Sequence, residues 1–112
     1  MVDLTREERR LLATGVAQWG GAARPNDAIA AALGVGHVDA LTEEGSRLLD
    51  KLRGDEELTD DEAAFALHST ELVFVSDRWG CGVEWETITG YSDAETVSAL
   101  RDLQRKLVGA GA

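Results

Sequence analysis

The side chains of this 112-residue chain with the types and spacing for chemistry fall almost entirely in one stretch, Gly54–Tyr91. His68 and Glu71 stand one helical turn apart, the spacing of an acid–base pair or of two metal ligands. Cys81, the one cysteine, lies between Gly80 and Gly82. Arg78 would lower the pKa of an accessible thiol there, whereas Asp77 and Glu84 would raise it again. His68, Glu71 and Cys81 are thus the centre a small enzyme would use. Against it, the pair lacks a third ligand or nucleophile, and no phosphate-binding glycine loop, zinc spacing or hydrolase elbow accompanies it. The simpler reading is a core histidine bonded to Glu71, with both facing inward, and a Cys81 that packs where the backbone is tight.

The acids Asp55, Glu56, Glu57, Asp60, Asp61 and Glu62 suggest a calcium loop. Such a loop needs glycine at its sixth position and glutamate at its twelfth; counted from Asp55, these are Asp60 and Ala66. The acids are better read as a solvated group ahead of a helix N-terminus, where the helix dipole favours them. No metal or cofactor is assigned. The strongest functional candidates are Asp77, Arg78, Trp79, Glu84 and Trp85. Two tryptophans and an arginine this close have the composition of an interface hot spot. Glycines at 80 and 82 would let another backbone approach. The competing reading puts both tryptophans in the chain's own core.

Ten carboxylates against the single cation Arg78 leave Gly54–Tyr91 at net −9, within a chain of net −10. That balance opposes nucleic-acid binding, which relies on Lys and Arg displacing counterions, and docking on anionic membranes. It suits solubility or a basic protein partner. No small-molecule ligand can be inferred. No run approaches the ~18 apolar residues of a membrane span, Met1–Trp19 lacks the apolar core of a signal peptide, and one cysteine supports no disulfide framework. A cytoplasmic protein is expected. Only two lysines, Lys51 and Lys106, among abundant arginine, alanine and glycine is the composition of GC-rich bacterial genes.

These residues must be held by helices. Three S/T-x-x-E boxes, Thr5…Glu8, Thr59…Glu62 and Ser92…Glu95, each head a segment of helical apolar spacing. The pattern predicts helices over about 6–19, 27–33, 38–52, 60–78 and 93–108, the fourth being the most apolar and central. Gly20, Gly34 and Gly54 end the first three. Residues 79–90 alternate with period two, but a lone strand has no partner elsewhere in the sequence. A helical continuation or structured loop is expected there, with a strand only if it pairs with its copy in a dimer.

Residues 27–53 resemble a helix-turn-helix, with Ile29–Val35 leading to Val38 and Leu41. The turn is about two residues short, and the second helix offers His37, Asp39, Glu43 and Glu44 where cations should read DNA. A positive strip built from Arg6, Arg9 and Arg10 beside residues 38–53 would favour that reading. The expectation is an all-α fold: one helical domain over 1–108, four to five helices with an irregular segment at 79–90, and a frayed tail at 109–112. The expected function is a small acidic regulatory or protein-interaction module without enzymatic activity. It would be homodimeric through Trp79–Trp85 and able to neutralise a basic partner. A divergent helix-turn-helix regulator and the His68–Glu71–Cys81 enzyme are the alternatives.

Overall fold

A computed structural model describes residues 3–111 of the chain, with side chains through Leu107. The protein is an all-α bundle. Its helices are α1 (Arg6–Ala17), α2 (Asp27–Ala32), α3 (Val38–Arg53), α4 (Asp60–Val75), α5 (Trp85–Thr89) and α6 (Asp93–Gly111). Short 3-10 turns, Gln18–Gly20 and Gly82–Glu84, extend α1 and lead into α5. No strand occurs among the described residues. α6 continues past its expected end at 108, and Ala112 lies outside the described residues.

All three expected capping boxes form. Thr5 and Glu8 head α1, Thr59 and Glu62 head α4, and Ser92 and Glu95 head α6, each hydroxyl accepting from the third amide while the glutamate accepts from the cap. Two of these glutamates also tie helices together. Lys106 of α6 pairs with Glu8, and Lys51 of α3 pairs with Glu62, which also takes Arg47. The chain's only two lysines therefore both hold capping-box glutamates.

α1 packs against both α3 and α4, and α4 also carries α6. The contact of α1 with α4 is made close by Gly15, where an added Cβ would lie 2.7 Å from Thr70 Cβ. Leu12, Leu41, Leu48, Ala63, Ala66, Val73, Trp85 and Leu103 are fully buried between these helices. α4 is central as its composition suggests, though it shares that place with α1.

α4 stops three residues before the expected Arg78. Ser76 turns extended (φ −83°, ψ 117°), its Oγ accepts from the Trp79 amide, and the Cys81 amide donates back to Val73 O. The chain thus folds over the last turn of its own helix. Gly80 is required there, because a Cβ would sit 2.5 Å from Val73 O. Gly82 adopts φ +48° against Asp77, whose Oδ1 accepts from the Val83 amide. The close approach that these glycines permit is therefore made by the protein's own backbone, not by a partner's. The period-two pattern of 79–90 becomes a helical turn rather than a strand, and strand pairing offers no route to a dimer.

Candidate functional site

The fold-back after α4 divides the five expected partner residues. Trp85 is fully buried and is a core residue. Its Nε1 donates to Thr96 Oγ1 at 2.8 Å, Phe74 meets it edge-on at 5.5 Å, and Tyr91 stacks at 6.4 Å. The Thr96 hydroxyl in turn donates a hydrogen bond to Ser92 O, so the buried polar pair is satisfied. Trp85 is therefore not available to a partner, which corrects its expected contact role: the fold needs the ring to close the gap between α4 and α6.

Asp77, Arg78 and Glu84 are exposed and Trp79 is half-buried. The Arg78 guanidinium lies 4.6 Å from the Trp79 ring centroid, a cation–π contact that holds both side chains on the surface. Trp79 O accepts from the Arg24 amide at 2.7 Å, anchoring the turn to the loop before α2. Sequence reasoning missed the apolar neighbours. Val75 is 73 % exposed, Val83 82 % and Ile88 42 %, so three of the four exposed large hydrophobics among the described residues fall within this one segment. Val75 counts among the apolar residues of the expected buried fourth helix; that helix stops at Val75 and leaves it in solvent.

The proposed enzyme centre does not assemble. His68 is exposed and lines a cleft with Glu44, Arg47 and Asp61 near the α2–α3 turn. Glu71 turns instead toward α6, accepting from Gln104 Nε2. The expectation that both face the interior is corrected, because successive turns of α4 meet different neighbours. Cys81 is buried, and burial pushes its thiol pKa up, away from nucleophilic use. Of the acids at 55–62, Asp55 turns to Arg9, and Glu62 to Lys51 and Arg47. Burial alone would raise the Glu62 pKa, but the Thr59 amide, Lys51 and Arg47 outweigh it and hold the carboxyl at about 2.

α2 and α3 do pack as a helix pair, with Asp27 Oδ1 accepting from the Val38 amide across the turn. His37 is the N-cap of α3, its Nδ1 accepting from the Ala40 amide. The exposed side chains that follow, Asp39 and Glu43, keep that end acidic. Arginines do gather beside α3, but at its other end. Arg6, Arg9, Arg10 and Arg53 line a cavity of about 660 Å³. Arg9 is fixed there by donating to Lys51 O, Leu52 O and Glu56 O. No helix among the described residues is long and apolar enough to cross a membrane. Comparison with protein-family models, with curated proteins and with solved structures finds no match for this chain.

Proposed function

We propose that the protein is a non-enzymatic interaction module whose working surface is the shoulder of residues 75–88, and that its partner is a protein carrying basic and apolar side chains. One observation carries the reading: the exposed hydrophobics Val75, Val83 and Ile88 fall in the same short segment as the Arg78–Trp79 pair and the exposed acids Asp77, Glu84 and Glu86. Single exposed apolar residues are ordinary, but a concentration rimmed by charge is the usual form of a binding patch. The half-buried Trp79, pre-ordered by Arg78, supplies an anchor of the hot-spot type. The charge of the rim selects the partner. Arg78 is the one cation beside three acids, so a second copy of the chain would bring like charges together, whereas a basic surface would be attracted. The same charge argues against nucleic acid at this surface.

The reading is tested by affinity capture from the cells that make the protein, comparing the wild type with Val83→Asp and Trp79→Ala. Val83 is almost wholly exposed, so Val83→Asp leaves the fold intact while placing a further charge in the apolar centre. A basic protein recovered with the wild type and lost with both variants is the expected result. Equal recovery by all three would remove the shoulder as the working surface. A wild type that sediments as a dimer and dissociates on Val83→Asp would make the partner a second copy.

A further inference from the structure

With 21 acidic and 11 basic side chains, each cation of this chain has carboxylates to choose from. Arg47, Lys51, Arg105 and Lys106 all take one. Arg24, Arg78 and Arg101 make no ion pair among the described residues; nor do Arg6, Arg10 and Arg53, whose side chains make no hydrogen bond either. Yet these last three line the same cavity, with Arg9 as its fourth cation. Local structure does not account for this. The carbonyl end of α3 explains Arg9, which caps it, and favours a cation at Arg53. Arg6 and Arg10 lie in the first turns of α1, where the dipole favours acids, and like charges four residues apart on a helix repel. Asp55, which lines the same cavity, answers one of the four charges by pairing with Arg9, and three remain without a carboxylate.

We infer that the cleft between the first turns of α1 and the end of α3 binds a compact phosphate-bearing anion, held by Arg6, Arg10 and Arg53 beside the tethered Arg9. Guanidinium groups meet phosphate oxygens through paired hydrogen bonds, and three free ones can surround one group from two helices. Arg9 is already committed to backbone carbonyls and Asp55, so it contributes charge and a fixed wall. The volume suits a small ligand rather than a single ion. No aromatic ring lines the cleft, so there is no stacking platform for a base; the remaining wall is Ala13, Thr14, Leu52 and one carboxylate, Asp55, which is exposed and paired with Arg9. The class is therefore a short polyphosphate or a phosphorylated small molecule. A duplex is disfavoured, since it would run over the exposed acids Glu7, Asp50, Glu56 and Glu57 that flank the cleft in sequence.

Isothermal titration of the full chain at low ionic strength with sodium tripolyphosphate, and separately with inorganic phosphate, tests this. Saturable one-to-one binding is expected, tighter for tripolyphosphate. The double variant Arg10→Ala/Arg53→Ala should weaken it at least about tenfold, the loss of charge-assisted hydrogen bonds. Neither side chain has an intramolecular partner, so the variant should keep the wild-type circular dichroism. Arg24→Ala/Arg101→Ala removes the same charge elsewhere and should change affinity less than about twofold. No saturable binding up to about 10 mM, or equal weakening in the control, would overturn the inference. So would a DNA duplex that binds more tightly than tripolyphosphate and is lost in the cleft variant, which would give the cleft to nucleic acid.

Discussion

Two glycines in helix interiors should respond to the same substitution with opposite signs. At Gly15 an added Cβ would reach Thr70, 2.7 Å from both its Cβ and its Cγ2. Thr70 is fully buried and donates to Ala66 O at 2.9 Å, so it cannot swing aside, and its branched side chain has few rotamers. α1 and α4 must separate instead. Overpacking of this kind costs about 3 kcal/mol, and the better helix propensity of alanine returns about 1 kcal/mol, leaving Gly15→Ala destabilised by about 2 kcal/mol. At Gly45 the added Cβ would meet Val16 Cγ1 at 3.6 Å and Trp19 Cδ1 at 3.7 Å, ordinary packing distances. Gly45→Ala should therefore stabilise the protein by about 0.5–1 kcal/mol. Urea unfolding reads both, with the midpoint falling by about 1–2 M for the first variant and rising for the second. Thr70→Gly opens the space on the opposite helix, so the double variant Gly15→Ala/Thr70→Gly should be more stable than the sum of its parts by about 2 kcal/mol. A stabilising Gly15→Ala, or strictly additive effects, would show that α1 and α4 do not cross at this contact.

Trp85→Ala should destabilise the fold by about 3–5 kcal/mol, because it empties the space between Phe74, Tyr91 and Thr96. Chemical denaturation reads it, and dissociation of an oligomer without loss of stability would return Trp85 to an interface. Acid should unfold the protein in part through Glu62. A carboxyl held at about 2 when folded, against roughly 4.3 when unfolded, contributes stability that is complete above the unfolded value and lost as pH falls toward 2. The contribution is on the order of 2 kcal/mol. Glu62→Gln should then flatten the stability profile between those pH values, and an unchanged acid limb would mean that the Lys51 and Arg47 contacts carry no net energy.

The helices were legible because their signals are local. Capping boxes at Thr5, Thr59 and Ser92 depend on residues three apart, and Gly20, Gly34 and Gly54 mark stops that a sequence displays directly. The end of α4 was not legible. It depends on Gly80 lying against Val73 and on Cys81 bonding back to that residue, a tertiary contact without a sequence signature. That one contact decides which residues of the shoulder see solvent: it buries Trp85, half-covers Trp79 and turns Val75 and Val83 outward. His68 and Glu71 diverge for a related reason, since their neighbours come from the α2–α3 turn and from α6, more than thirty positions away in sequence. The arginine cleft was legible in outline, as a strip of Arg6, Arg9 and Arg10 beside residues 38–53, but nothing local shows that Arg53 is the residue that joins them.

The most direct measurement of the interaction surface is amide hydrogen exchange on the protein alone and in complex with the partner recovered by capture. Slowed exchange confined to residues 76–90, with the amides of Arg6–Thr14 unchanged, is the predicted result, since the Trp79 and Val83 amides lie in the shoulder that the partner covers. Protection at Arg6–Thr14 and Arg53 with none at 76–90 would contradict it and make the arginine cleft the partner's site.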